Sequence, residues 1–270
     1  KKGTTMGEAY IIDAVRTPVG RRGGGLAEEH PADLGAHAIK GLIDRVGVDP
    51  MAVDDVIMGC LDNMGPQAGD IARTAWLAAG MPEAIPGVTV DRQCGSGQQA
   101  VSFAAMGVMS GVQDIVVAGG MQNMSLIPIG SAMDVMGHES IGRPDIEDPF
   151  STSKGWVERY GTQEVSQFRG AELIAKKWDL TRQQLEEFAL ESHERAARAQ
   201  DEGRFDNEIL PYGEVTQDEG VRRGTTLEKM AQLPTLEEGG VITAAVASQI
   251  SDGAVALMVA SERAVKEHGL

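Results

Sequence analysis

The stretch Val88-Thr89-Val90-Asp91-Arg92-Gln93-Cys94-Gly95-Ser96-Gly97 decides how this chain folds and where its chemistry lies. An apolar run leads in, and a segment rich in small residues, about 95–110, leads out. The order expected is strand, sharp turn, helix, with the Cys94 sulfur close to the helix start. The first backbone N–H groups of a helix lack partners within it and together carry roughly +0.5 of a charge, a setting suited to a nucleophilic sulfur. Gly95 and Gly97 permit a tight turn and the close approach of a substrate carbonyl. A lone cysteine in an arbitrary sequence is more often a buried structural residue. The Gly-Ser-Gly flank and the strand-turn-helix context argue for the nucleophile instead.

Outward from this turn, the first 120 residues alternate between two patterns. Strand-like runs fall at 9–15, 53–60, 87–90 and 115–118, and helical patterns at about 32–46, 70–79 and 95–110. Such alternation predicts an α/β layer with a largely parallel sheet. Beyond Gln99 the third helix is apolar nearly all round, which predicts a buried helix. From Gly120 to about Gly240 the text is loop-rich, with Pro128, Pro144, Pro149, Pro211 and Pro234. One amphipathic helix stands out there, over 182–201, opened by a Thr181–Gln184 capping box. Leu185, Phe188, Ala189, Ser192, Ala196 and Ala199 make its inward face, and Glu186, Glu187, Glu194, Arg195 and Arg198 a solvated one. A strand at 254–260 and a helix capped by Ser261 close the chain. The division expected is a core of residues 6–119 plus 241–270, interrupted by an inserted loop domain over 120–240. Residues 1–5, ahead of Met6, are read as an addition to the natural start and set aside.

At 270 residues, 42% apolar and 24% charged, the composition is that of an ordinary globular protein. A formal net charge of −16 argues against a nucleic-acid partner, because such binding rests on neutralising phosphates. No apolar run approaches the roughly 18 residues of a membrane span, and no signal peptide opens the chain, so a cytoplasmic protein without membrane insertion is expected. Two cysteines give no disulfide framework, and no metal site is expected. Cys60, at the end of an apolar run, reads as structural.

Four segments in order carry a family resemblance. Gln-Cys-Gly-Ser-Gly-Gln-Gln-Ala (93–100) resembles the nucleophile segment of the thiolases, and Arg16-Thr17-Pro18-Val19-Gly20 their N-terminal R-T-P-x-G. Residues 118–125, Ala-Gly-Gly-Met-Gln-Asn-Met-Ser, resemble A-G-G-x-E-x-M-S, and 248–254, Ser-Gln-Ile-Ser-Asp-Gly-Ala, resemble S-x-x-N/S-D-G-A. Any one alone would be weak; the ordered set is specific. The resemblance implies a thiolase-like N-terminal domain, with a mixed, mostly parallel sheet, flanking helices and a long inserted loop domain that cradles a coenzyme A thioester. It implies acyl transfer between coenzyme A and Cys94, with formation or cleavage of a 3-oxoacyl-CoA. It also implies a likeness to homodimers or homotetramers. Coenzyme A is then a substrate, and no permanently bound cofactor is implied.

Residue by residue, the resemblance sets Arg222, in Val-Arg-Arg-Gly-Thr-Thr-Leu, against the nucleotide end of coenzyme A, with Arg223 sharing the role through a phosphate contact. Ser248 matches a serine that meets the pantetheine amide, and Ala244 lines the same tunnel. The family's activating histidine (G-H-P-x-G) and its second cysteine (C-x-G) have no match here. His30-Pro31 reads as a surface pair entering a helix, and His37, His138, His193 and His268 have no motif around them. The chain therefore reads as half an enzyme. Asp91 replaces the usual Asn, Gln122 the usual Glu, Val246 the Asn of N-A-S, and Tyr160-Gly161 the usual Met-Gly, which together suggest a bulkier or longer acyl group than acetoacetyl. A 3-oxoacyl synthase is disfavoured by Gln-Cys-Gly-Ser-Gly. A non-catalytic, coenzyme A-binding or complex-forming subunit is the remaining alternative.

Overall fold

The computed structural model describes residues 7–134 and 149–270. Its elements, in chain order, are β1 (Ala9–Arg16), β2 (Gly20–Arg21), α1 (Pro31–Val46), β3 (Asp55–Gly59), α2 (Ile71–Ala78), β4 (Gly87–Val90), α3 (Ser96–Met109) and β5 (Ile115–Asn123). They continue with α4 (Ser131–Asp134), α5 (Lys154–Tyr160), α6 (Gln167–Lys177), α7 (Arg182–Asp201), α8 (Leu227–Ala231), β6 (Ser251–Ser261) and α9 (Glu262–His268). Local chemistry explains the helix ends. His30 accepts from Ala32 N at 3.2 Å, Pro31 opens α1 where no N–H is needed, and Gly47 closes it in the left-handed region at φ 73. His30-Pro31 does enter a helix, but only His30 is exposed; Pro31, expected at the surface, is buried because the first turn of α1 packs inward. The Thr181–Gln184 capping box forms at the start of α7.

Residues up to Ile129, Asp206–Gly220 and Ile250–Leu270 form one compact unit; Gly130–Phe205 and Val221–Gln249 form another. The first holds a sheet in the order β1-β6-β5-β3-β4, with β2 also paired to β6. The sheet is mixed, with parallel pairing among β4-β3-β5. β6 runs antiparallel to β1, β2 and β5 alike. The expected mixed, mostly parallel sheet forms: β1 to β5 share one direction, and only β6, the strand beyond the insertion, opposes them. No local pattern encodes the direction in which β6 arrives. One face of the sheet is covered by α1 and α2 through Leu34, Ile39, Leu42, Ile71 and Trp76, all fully buried. The other face receives Ala100, Ala104 and Val108 of α3.

The helix α3 is not buried all round. Phe103 is 41% and Met106 61% exposed, on the side turned from the sheet. The segment 206–220, read from sequence as part of the insertion, belongs to the sheet unit. Arg16 holds it through Glu208 at 2.7 Å and Asp218 at 2.6 and 3.0 Å.

In the second unit α7 presents a different face from the one its apolar spacing predicts. Phe188 is 76% exposed, while Glu186 is 4% exposed and paired with Arg182 at 2.7 Å. Arg182 also donates to the carbonyls of Met230 and Leu233 at 2.9 and 2.7 Å, so Glu186, expected on the solvated face, is drawn inward as half of a charged pair. Glu172 of α6 likewise accepts from Val241 N and Ile242 N at 2.9 and 2.7 Å. Carboxylates thus join segments of this unit, beside the buried apolar residues Ala175, Met230 and Ile242.

Candidate active site

The parallel strands end at Val90, Gly59 and Asn123, and the Cys94 turn lies directly beyond the end of β4. Side-chain and backbone bonds stitch it. Asp91 Oδ1 accepts from Gln93 N at 2.8 Å, and Ser96 Oγ accepts from Arg92 N at 2.9 Å. Gly95 N donates to Arg92 O at 3.1 Å, and Ser96 N to Gln93 O at 3.0 Å. Asp91 needs only an acceptor oxygen for this bond, which an Asn side chain also carries. Gln93 is held in the left-handed region at φ 49, a conformation that disfavours a residue with a Cβ and therefore requires this support. The result is an exposed Cys94 one residue before the Gly95 cap of a 14-residue helix.

Glycines fix where that helix start sits. A Cβ on Gly59 would collide with the backbone of Ser96 and Gly97, and one on Gly119 with the Val255 carbonyl of β6. A Cβ on Gly120 would meet Gly59 O at 2.9 Å. The Gly-Gly of segment 118–125 and the second glycine of Gly-Ser-Gly are therefore contact points of backbones, through which β3, β5 and the head of α3 approach each other.

The other resemblance segments in this unit are structural. Thr17 exchanges backbone and side-chain bonds with Ala254 (Thr17 N to Ala254 O 2.9 Å, Ala254 N to Thr17 Oγ1 3.0 Å). Ser125 N and Oγ donate to the Asp252 carboxylate at 2.8 and 2.6 Å, tying residues 118–125 to 248–254. Gln122 accepts from Leu61 N and donates to Leu61 O, both at 3.1 Å, a reciprocal pair that a glutamate could not complete. Asn123 Nδ2 donates to the carbonyls of Leu26, Ala27 and Glu29. None of these pairings is visible from one segment alone.

Cys60, at the end of β3, is the opposite of Cys94. It is 2% exposed, and its Sγ lies 3.5 Å from both Leu61 O and Gln122 Oε1. Burial, with the carboxylates of Asp91 and Asp62 adding to it, pushes its thiol from 9.0 up to about 12. Cys60 is a protonated structural thiol, as its sequence position suggests.

Arg222, Ala244 and Ser248 are all exposed in the second unit. The Arg222 N–H donates to His193 Nδ1 at 3.3 Å, and burial followed by the Arg222 charge lowers the His193 pKa. Neither the Arg222 guanidinium nor the Ser248 hydroxyl has a hydrogen-bond partner among the described residues. Arg223 differs: its guanidinium is engaged by Asp201, Gln200 and Ala197. Of the other histidines, His37 packs edge-on against Tyr212 at 5.1 Å, and His138 lies outside the described residues. Among the described residues no cluster of metal-ligating side chains occurs, and no helix is long and apolar enough to cross a membrane.

The Cys94 turn thus presents an exposed thiol at a helix head, fed by a parallel strand and braced by backbone glycines. Residues 9–263 match the thiolase N-terminal domain, and the chain belongs to the thiolase family. It is 60% identical, over its whole length, to the steroid 3-ketoacyl-CoA thiolase FadA6 of Mycobacterium tuberculosis, of which it covers 66%. It is 36% identical over 98% of its length to a 3-oxoadipyl-CoA/3-oxo-5,6-dehydrosuberyl-CoA thiolase of Escherichia coli K12, covering 69% of that protein. Its structure matches the Bacillus anthracis acetyl-CoA acetyltransferase with a TM-score of 0.80 at 32% identity, covering 99% of this chain and 69% of that one. The chain thus spans about two thirds of the length of these relatives.

Proposed function

We propose that this protein serves as an acyl-CoA acyltransferase that forms or cleaves a 3-oxoacyl-CoA through an acyl-Cys94 intermediate. The observation that carries the reading is the exposed Cys94 at the head of α3. In the cleavage direction the sulfur adds to the 3-oxo carbon, and the backbone N–H of Cys94 stabilises the oxyanion. The bond between the second and third carbons then breaks, leaving an acyl-cysteine and the enolate of a shorter acyl-CoA, which takes up a proton. A coenzyme A thiol finally receives the acyl group and frees the cysteine. Arg222 meets the nucleotide end of coenzyme A, Ser248 the pantetheine amide, and Ala244 the tunnel wall; their exposure supports this.

The proposal assigns the activating base and the second acid/base to the part of the relatives' length that this chain does not cover. A homodimer or homotetramer and a cytoplasmic setting belong to the same reading. An assembly would give the exposed Phe103 and Met106 an apolar surface to meet. The substrate proposed is a bulky 3-oxoacyl-CoA, of which a steroid-derived one is an example. The 60% identity to a steroid 3-ketoacyl-CoA thiolase supports it, beside 32% to the acetyl-CoA acetyltransferase.

The test is to mix the chain with acetoacetyl-CoA and coenzyme A and follow the enolate absorbance. Positioned acid–base groups contribute about 10²- to 10⁴-fold each, so the chain alone is expected to show no sustained turnover, only slow single-turnover acylation of Cys94. Sustained turnover dependent on Cys94 would place the missing base within these residues. Coenzyme A binding without any acylation would favour a non-catalytic subunit.

A further inference from the structure

Three cations stand in the eight residues 222–229, and the fold treats them differently. Arg223 is committed to α7: its Nη1 and Nη2 donate to the Asp201 carboxylate at 3.0 and 2.8 Å. Nη2 also donates to Gln200 Oε1 at 3.1 Å and to Ala197 O at 3.3 Å. These acceptors lie in the last turns of α7, where unpaired carbonyls and the negative end of the helix dipole favour a cation. Lys229 is committed to the loop itself, donating from Nζ to Gly224 O at 2.8 Å. The backbone of Arg222 is tied to the same helix through His193. Its exposed guanidinium has no hydrogen bond or ion pair among the described residues.

We propose that Arg223 is a positioning residue, whose grip on the C-terminal turns of α7 holds the loop so that Arg222 is the cation presented to a phosphate of coenzyme A. The proposal rests on the assignment of Arg222 to coenzyme A, and replaces a phosphate contact by Arg223 with an internal one. The fork matters: a guanidinium spans both Asp201 oxygens while reaching Gln200 and Ala197, which a lysine ammonium cannot reproduce.

Calorimetric titration of the chain with coenzyme A and, separately, with pantetheine tests this. Arg222→Met should weaken coenzyme A binding about tenfold, in line with loss of a charge-assisted phosphate contact. Arg223→Met should weaken it by roughly threefold or more. Asp201→Asn, which keeps both arginines, should act in the same direction. Pantetheine, lacking the nucleotide, should bind every variant alike. In the double variant Arg222→Met/Arg223→Met, the loss should not exceed that of Arg222→Met alone, because Arg223 acts through Arg222. Exposed ion pairs add little stability, so the variants should fold, and their melting curves check that. Full additivity in the double variant would mean that Arg223 touches the ligand itself, and wild-type binding by Arg223→Met beside a weakened Arg222→Met would mean that it positions nothing. Either result overturns the inference. A neutral Arg222→Met would remove the Arg222 assignment and this inference with it, while leaving acylation of Cys94 untouched.

Discussion

The two units of this chain are built in opposite ways. In the sheet unit, backbones touch: Gly59, Gly119 and Gly120 leave no room for a Cβ where β3, β5, β6 and the head of α3 meet. In the second unit, carboxylates reach in and hold backbone or charge, Glu186 with Arg182 and Glu172 with the N–H groups of Val241 and Ile242. Close backbone contact gives a rigid base, suited to fixing one sulfur at a helix start. A polar interior leaves cations and hydroxyls at the surface, suited to meeting a long, phosphate-bearing ligand. An interior made of glycine and aliphatic residues also announces itself in sequence, whereas a buried glutamate such as Glu186 reads as surface.

The largest effect expected from this contrast is at Gly119. Gly119→Ala drives a Cβ into the β6 backbone, which cannot yield as a flexible side chain would. A loss of about 4 kcal/mol or more in urea denaturation is expected, enough to unfold much of the protein. A loss under about 1 kcal/mol would show that the strands are not so tightly apposed.

Next comes the buried thiol. Below about pH 9, the ordinary value for Cys60, the group is protonated in folded and unfolded chains alike and contributes no pH dependence. Between that value and about 12 only the unfolded chain ionises, so stability falls as pH rises. The loss expected across the window is on the order of a few kcal/mol. Tyr212, moved from 10.0 to about 12 by burial and its bond to Glu29, adds a slope of the same sign. Thermal melts at rising pH should therefore flatten, in part, in Cys60→Ala. An identical slope with and without Cys60 would contradict its burial.

In the second unit, Glu186→Ala leaves Arg182 half-buried without its carboxylate, though still bonded to Met230 O and Leu233 O. A loss of about 1–3 kcal/mol is expected by chemical denaturation. A negligible change would return Glu186 to the solvated face that its spacing suggests. The smallest effect has the reverse sign. Gly170 lies inside α6 with open space around its missing Cβ, so Gly170→Ala should stabilise by about 0.5–1 kcal/mol.

The same contrast explains what could be read from sequence. Strands at 9–15, 53–60 and 87–90 and helices at 32–46, 70–79 and 95–110 correspond closely to β1, β3, β4, α1, α2 and α3. β5 runs on to Asn123, well past the expected 118, because Gly119 and Gly120 look like turn residues but are strand residues kept small by their neighbours. The direction of β6 depends on where the intervening chain returns, which no local period records. The inward face of α7 departs from its apolar spacing at Phe188 and Glu186, because Phe188 carries the stronger apolar signal while Arg182, the partner that draws Glu186 inward, carries none. The Cys94 turn was legible because its glycines and cysteine are contiguous. The reciprocal bond of Gln122 to Leu61, and the engagement of Arg223 by α7, join residues far apart in sequence and had no such signal.

The central claim, that Cys94 is the acyl acceptor, is tested most directly by alkylation with iodoacetamide and peptide mapping, with and without prior incubation with an acyl-CoA. The exposed Cys94 should be modified first, Cys60 should resist until the chain unfolds, and the acyl-CoA should protect Cys94. Earlier modification of Cys60, or no protection of Cys94 by the thioester, would contradict the account.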